Sequence, residues 1–124
     1  MKLHRDEISS PEFWTDERCF ITECLNSEEV PEFSLAVARV KPSVTTQLHS
    51  LRNTKEIYII RKGTGLVLVG KKEVKVSIGD SIIIPANTPQ RITNLSDNED
   101  LEFYCHCSPR FVPAAYENLE TNNS

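Results

Sequence analysis

Short runs of strand-forming residues, most of them closed by glycine, proline or asparagine, follow one another from Arg18 to Cys107. Short runs rich in valine, isoleucine and aromatic residues are typical of β-strands, and the residues between them are those that turns require. The runs lie at residues 19–25, 34–40, 44–48, 56–61, 66–69, 73–78, 81–84, 90–94 and 101–107. This spacing predicts an all-β sandwich or barrel.

The two ends of the chain lack this pattern and are predicted to lie outside the barrel. Residues 1–18 are polar and form an N-terminal arm. Its Phe13 and Trp14 are expected to pack on the barrel or on a second subunit, because large aromatic side chains are mostly buried. Residues 113–124 predict a short C-terminal helix and a polar tail, which leaves residues 19–112 for the β-barrel.

Length and composition favour a single cytoplasmic domain. A chain of 124 residues has the size of one domain, and no stretch reaches the roughly 18 apolar residues of a membrane span. The charged N-terminus has no apolar segment after it, so it does not predict a signal peptide. The four cysteines are then expected to be reduced thiols. A net charge of −4, with scattered basic residues, disfavours a nucleic-acid surface.

Three polar side chains are predicted to converge inside the barrel. Residues two apart on a strand share a face. The sets that share a face are His49 with Leu51, Glu56 with Tyr58 and Ile60, and Gln90 with Ile92 and Asn94. If His49, Glu56 and Gln90 face inward, separate strands bring three oxygen or nitrogen donors toward one point. Small barrels hold a metal or a small polar ligand in this way.

Two segments, residues 49–63 and 79–94, resemble the two sequence motifs of the cupin superfamily. The matching positions are His49, Glu56 and Gly63 in the first segment, and Gly79, Pro85 and Asn94 in the second. The resemblance extends over residues 35 to 107. It implies a cupin double-stranded β-helix, which is a jelly-roll barrel.

The resemblance also implies a divalent metal site, although two of its ligands differ. Leu51 stands where cupins have their second histidine, Gln90 replaces the third histidine, and Asn87 replaces a glycine. A metal such as Zn, Mn, Fe or Ni would then be held weakly by His49, Glu56 and Gln90, because each missing imidazole removes a strong donor. The other open interpretation is a metal-free pocket, in which His49 and Glu56 bond each other and Gln90 presents its amide to a ligand.

Cys105 and Cys107 share a predicted inward face with Leu101 and Phe103. Buried cysteines mostly behave as small hydrophobic residues, which is the favoured interpretation here. The alternative is that the two thiols complete a zinc or iron centre near Gln90, although this spacing is not typical of zinc ligands.

The sequence around both segments is similar to the cupin domain of mannose-6-phosphate isomerase-type proteins. This resemblance implies an enzyme that binds and isomerises a sugar or sugar phosphate. His49 and Glu56 would then be the catalytic residues, with Glu56 as a ligand or general base. The alternative function is a non-catalytic cupin that binds a small molecule as a sensor or accessory subunit.

Several strands are apolar on both faces, which predicts a homodimer. Ile57 and Ile59 alternate with Tyr58 and Ile60, and residues 82–84 are all isoleucine. One set fills the barrel and the other then faces outward. Contiguous apolar surface is unusual on a monomer, and a two-fold dimer is the commonest closed assembly. We therefore expect two subunits that pack sheet to sheet.

Overall fold

The computed structural model describes residues 10–120, which form β-strands and one short 3₁₀ helix at Pro113–Ala115. The strands are β1 (Phe13–Trp14), β2 (Phe20–Leu25), β3 (Ser34–Val40), β4 (His49–Leu51), β5 (Lys55–Lys62), β6 (Thr64–Val69), β7 (Lys72–Ser77), β8 (Ser81–Ile84), β9 (Gln90–Asn94), β10 (Leu101–Ser108) and β11 (Tyr116–Asn118). Among the described residues, no helix has the length and apolar character needed to cross a membrane.

The strands form two antiparallel sheets that enclose the core. One sheet has the order β1-β2-β3-β10-β5-β8, and the other has the order β11-β4-β9-β6-β7. Strands that neighbour each other in these sheets are often far apart in the sequence, as in the pairing of β3 with β10. Two antiparallel sheets connected in this way fit a jelly roll. The all-β prediction is confirmed.

Side-chain alternation places one face of each strand in the core. On β5 the buried residues are Glu56, Tyr58 and Ile60, while Ile59 is exposed. Gln90, Ile92 and Asn94 are buried on β9 in the same way. The strand predicted at 44–48 does not form, since Thr45 makes only an isolated bridge to Thr93 and the strand begins at His49.

The apolar core occupies one end of the barrel. Its most buried side chains include Val40, Ile60, Ile84, Ile92 and Leu101, each at most 1% exposed. They come from the C-terminal ends of β3, β5 and β8, from the middle of β9 and from the start of β10. The opposite ends of these strands carry polar residues such as Ser34 and Glu56. The sequence thus closes one end of the barrel with hydrophobic side chains and leaves polar ones at the other.

Two turn positions explain how the chain keeps the cupin-like spacing. Gly63 has φ +86°, and a Cβ there would lie 2.8 Å from the Asp100 carbonyl oxygen, so only glycine fits. Asn87, which stands where the family pattern has glycine, has φ +62°. Asparagine tolerates this left-handed conformation, and its Oδ1 accepts a hydrogen bond from the Asn53 amide at 2.9 Å. The substitution at Asn87 therefore preserves the turn.

The predicted C-terminal helix over residues 113–119 is wrong. Only the 3₁₀ turn Pro113–Ala115 forms, and β11 follows it and pairs with β4. A helix this short is marginal in water, whereas β11 gains hydrogen bonds to a strand that is already in place. Tertiary pairing therefore overrides the local pattern. The predicted tail at residues 121–124 lies outside the described residues.

The N-terminal arm is seen only in part, because residues 1–9, including the charged N-terminus, lie outside the described residues. Phe13 and Trp14 form β1 and pair with β2. Trp14 packs edge-on against Phe20, with ring centroids 5.0 Å apart. Phe13 nevertheless remains 40% exposed and Trp14 55% exposed. The arm is thus attached to the edge of the larger sheet with much aromatic surface still open.

We expect the larger sheet to mediate a homodimer through its outer face. Ile57 of β5 lies opposite Ile83 of the edge strand β8, and Ile59 and Ile83 are 39% and 63% exposed. Burial of this surface against a second copy would remove apolar area from water. Light scattering at micromolar concentration should give about twice the subunit mass of 14.1 kDa. A particle with the mass of one subunit would contradict this prediction.

Candidate functional site

A cavity of about 140 Å³ opens between the sheets at the polar end of the barrel. We call it the barrel cavity. The polar and titratable side chains on its wall include Glu17, Glu23, His49, Glu56, Tyr58 and Cys107. They come from the segment before β2, from β2 itself and from β4, β5 and β10. The cavity has the size that accommodates a ring of about six heavy atoms. It is the candidate functional site.

His49 faces the cavity as a neutral imidazole with one free nitrogen. Its Nδ1 lies 2.8 Å from the Gln47 carbonyl oxygen, which can only accept, so Nδ1 carries the proton. Nε2 is then an unprotonated acceptor. The side chain is buried, and this burial lowers the pKa of His49 because the charged form loses its hydration. The arrangement therefore presents a base to whatever occupies the cavity.

Glu56 lies on the wall contributed by the other sheet and is only 6% exposed. Its Oε2 accepts a long hydrogen bond from the Cys107 thiol at 3.5 Å. Its Oε1 has no hydrogen-bond partner among residues 10–120. Burial raises the pKa of Glu56 to about 7, with the nearby Glu17 carboxylate adding to the shift. Glu56 can therefore hold or release a proton near neutral pH.

Glu17 is a site residue that sequence reasoning missed. It precedes β2, and its Oε2 lies 4.0 Å from His49 Nε2, with 28% of its side chain exposed at the cavity mouth. This distance is too long for a direct hydrogen bond, so an oxygen or nitrogen of a ligand can contact both groups. Desolvation raises the pKa of Glu17 to about 7.

The position of Glu17 depends on contacts distant in sequence. Its carbonyl oxygen accepts a hydrogen bond from the Gln47 amide at 2.9 Å, and the neighbouring Arg18 adopts a positive φ of 70°. Gln47 is also the residue that holds the His49 ring. Nothing in the spacing of the N-terminal arm signals this arrangement, because a single glutamate in a polar segment is usually a solvated surface residue.

Gln90 is the predicted site residue that does not reach the cavity wall. It lies opposite His49 in the smaller sheet and is only 1% exposed. Its amide oxygen accepts a hydrogen bond of 2.6 Å from the Tyr58 hydroxyl. The structure therefore brings His49 and Glu56 to the wall of one cavity. Gln90 lies just behind that wall, bonded to Tyr58 and near enough to Glu56 to offset part of the rise in the pKa of that carboxyl.

The described residues do not fit the divalent metal that the cupin resemblance implies. Among residues 10–120 there is no group of three His, Cys, Asp or Glu side chains arranged to hold a metal ion. The Gln90 oxygen, which would be the third donor, is already bonded to Tyr58. Leu51 lines the cavity where a second imidazole would stand. The donor set is thus short of what borderline divalent ions require.

Restoring the missing donors is expected to create tight metal binding. The double variant Leu51→His with Gln90→His would supply three imidazoles and a carboxylate at the positions where the cupin pattern has its ligands, the set that suits Zn, Mn, Fe and Ni. Calorimetry with Zn²⁺ on tag-free protein should show affinity higher by orders of magnitude than for the unaltered chain. Leu51→Met with Gln90→Met, which keeps the volumes similar, is the control. No gain in the histidine variant would mean that the cavity is not the cupin metal position.

The cysteines beside the cavity are protonated thiols. Burial raises the pKa of Cys19 to about 12, and it raises the pKa values of Cys105 and Cys107 well above their usual range, as does the Glu56 carboxylate nearby. Only a thiolate is a strong nucleophile or zinc ligand. These residues therefore act as small apolar packing groups, with Cys107 also donating to Glu56.

The C-terminal segment covers His49 and fixes its ring. Tyr116 stacks on the imidazole with a centroid distance of 4.7 Å and an interplanar angle of 14°, and its hydroxyl bonds Gln47 Oε1 at 2.6 Å. Farther along, Glu120 accepts two hydrogen bonds from the Arg18 guanidinium, at 3.0 and 2.6 Å. The helix predicted for this segment would not have placed Tyr116 on the imidazole, so the sequence pattern gave no sign of this cover.

Comparisons with known proteins point to one family. The family model described as "Cupin domain" matches residues 36–107. The uncharacterized protein MJ1618 of Methanocaldococcus jannaschii is 38% identical over 87 residues, which are 70% of this chain and 66% of that protein. The matched part thus spans just under two thirds of that relative's length.

Solved structures that superpose on this chain show the same barrel fold. Pac13 of Streptomyces, described as a nucleoside dehydratase, superposes with a TM-score of 0.78 at 17% identity, over 97% of this chain and 91% of that one. KdgF from a Halomonas species superposes with a TM-score of 0.72 at 15% identity, over 82% and 88% of the two chains. At these identities the likeness concerns the fold.

Proposed function

The chain belongs to the cupin family, and we propose that its barrel cavity binds a small polar metabolite and moves protons on it. His49 acts as the general base, and Glu56 and Glu17 act as proton donors. The observation that carries this proposal is the placement of a free imidazole nitrogen 4.0 Å from one carboxyl group, with a second, buried carboxyl on the wall of the same cavity.

The protonation states support acid–base chemistry without a metal. A neutral His49 can accept a proton, while pKa values raised to about 7 leave Glu17 and Glu56 partly protonated at neutral pH. A catalytic acid or base works best when its pKa lies near the operating pH, and groups with shifted pKa values in a cleft mark functional sites. The unbonded Glu56 Oε1 is free to contact a substrate hydroxyl or carbonyl.

The reaction class we propose is proton abstraction next to a carbonyl group, which leads to isomerisation or to loss of water. A base removes the carbon-bound proton. In isomerisation a carboxylic acid protonates the carbonyl oxygen, and a proton then returns to the former carbonyl carbon as the neighbouring hydroxyl loses its own. In loss of water the acid protonates the departing hydroxyl group. The first outcome corresponds to the mannose-6-phosphate isomerase resemblance. The second corresponds to Pac13, a nucleoside dehydratase whose structures contain uridine. Both chemistries use the same pair of groups.

Hydrogen–deuterium exchange tests this proposal without knowledge of the natural substrate. Small aldoses, ketoses, amino sugars and nucleoside aldehydes would be incubated with tag-free protein in D₂O, and proton NMR would follow the loss of carbon-bound hydrogen. We expect one class of compound to exchange faster with protein than with buffer. Binding without exchange for every compound would contradict the proposed activity.

A non-catalytic binding protein is the second candidate function. The observation that favours it is the incomplete metal-ligand set, because a cupin that has lost metal chemistry can retain the cavity for recognition alone. The exchange experiment separates the two candidates, since a sensor or accessory subunit would bind its ligand and leave the ligand's carbon-bound hydrogens in place.

A further inference from the structure

We propose that the ligand of the barrel cavity carries a positive charge in the form of an ammonium group, as in an amino sugar or a small amino alcohol. This inference rests on the proposed function for the location of the site, and it adds the charge class of the ligand. It excludes the sugar phosphates that the isomerase resemblance implies.

The first observation is the charge of the cavity wall. Glu17, Glu23 and Glu56 all line it, and none of the described residues on the wall is a lysine or an arginine. The nearest arginine in sequence, Arg18, directs its guanidinium to Glu120. A phosphate or carboxylate ligand would meet like charges and no counter-ion, which opposes binding. An ammonium group would meet three carboxyl groups.

The second observation is the unsatisfied oxygen of Glu56. Its Oε1 is buried and has no partner within residues 10–120, although buried polar atoms are nearly always hydrogen-bonded. The other oxygen is occupied by Cys107. An ammonium group has three donors and no acceptor, so it can satisfy Glu56 Oε1 and keep further donors for Glu17. Among charged ligand groups, a cation that donates hydrogen bonds fits this wall best.

The third observation is the aromatic part of the wall. Tyr58 and Phe103 pack against each other with ring centroids 4.6 Å apart, and both line the cavity together with Tyr116. Aromatic ring faces attract cations when water is excluded. The His49 ring between Tyr116 and Glu17 is neutral, so it does not repel a positive group.

Three probes of similar size and different charge test the inference. Cyclopentylamine, cyclopentanol and cyclobutanecarboxylate each have about six or seven heavy atoms, which suits the cavity. Their dissociation constants would be measured by ligand-observed NMR on the full chain at pH 8. We expect the amine to bind at least about tenfold more tightly than the alcohol, and the carboxylate to show no binding.

Glutamine variants of single glutamates show which carboxyl groups attract the amine. Glu17→Gln and Glu23→Gln should each weaken the amine several-fold and leave the alcohol unchanged. Glu73→Gln, on the exposed hairpin strand β7, is the control for attraction by the overall net charge of −4. Thermal unfolding would confirm that each variant is folded.

The relative affinities of the three probes decide whether the ligand is a cation. Tighter binding of the alcohol or the carboxylate, equal binding of the three probes, or no binding at all would overturn the proposal. An amine affinity that falls as much in Glu73→Gln as in Glu17→Gln would also overturn it. Proton exchange on a neutral metabolite would still support the proposed function in that event, so the two failures are distinguishable.

Discussion

Replacement of His49 by glutamine is expected to slow protein-dependent hydrogen–deuterium exchange by roughly 10²- to 10⁴-fold, the range for loss of a general base. Glutamine matches the reach of the imidazole and its amide can still donate to the Gln47 carbonyl, which His49 Nδ1 now does at 2.8 Å. It supplies no basic nitrogen in place of Nε2. Ligand binding should change much less than exchange, because the walls of the cavity stay in place.

The measurement compares exchange rates for the compound that responds to the unaltered protein. His106→Gln is the matched control, since it makes the same substitution on β10, where the ring stacks on Phe33 and does not line the cavity. We expect His106→Gln to keep the full exchange rate. Equal rates in His49→Gln and the unaltered chain would assign the proton transfer to another group, and equal losses in both variants would indicate a folding effect.

The fold was predictable because strand alternation is a local property of the sequence. The spacing of Glu56, Tyr58 and Ile60 decides which side chains of β5 face the core, and the same holds for Gln90, Ile92 and Asn94 on β9. A shift by one residue would expose each set. Asn87 could be recognised as a substitute for glycine because both residues tolerate positive φ.

The candidate site was predictable only in part, because its decisive contacts connect distant segments. His49 and Glu56 could be found from the motif spacing. Glu17 is placed near His49 by a hydrogen bond between its backbone carbonyl and the amide of Gln47, about thirty residues away in sequence. Gln90 matches a ligand position in sequence, but in the structure its amide oxygen already accepts a hydrogen bond from the Tyr58 hydroxyl. Residues 116–118 likewise form β11 because they pair with β4, which is a tertiary contact.

Replacement of Glu56 by glutamine is expected to stabilise the protein above neutral pH. Burial raises the pKa of Glu56 from its usual 4.5 to about 7 in the folded state. A raised carboxyl pKa means that the folded state binds the proton more tightly than the unfolded state. The favourable contribution is thus complete below about pH 4.5 and is lost as the pH rises through about 7. Glutamine stays neutral throughout and can still accept from Cys107.

The difference between the two proteins in free energy of unfolding should therefore depend on pH. We expect it to be small at pH 4.5 and to reach about 3 kcal/mol in favour of the variant at pH 9, from about 1.4 kcal/mol per pKa unit. Glu17 shifts in the same direction, but it is present in both proteins and largely cancels. Urea denaturation at several pH values measures the difference, with exposed Glu73→Gln as the control that should show none.

A loss of stability in Glu56→Gln at high pH would contradict this expectation in an informative way. It would mean that the ionised carboxylate of the ligand-free protein is held by a positive charge or by several hydrogen-bond donors, because these are the contacts that make an ion more stable in the folded chain than in water. Residues 10–120 place no lysine or arginine on that wall. Stabilisation by glutamine would instead show that Glu56 is held in the cavity at a cost to folding. Such a cost is typical of residues retained for function.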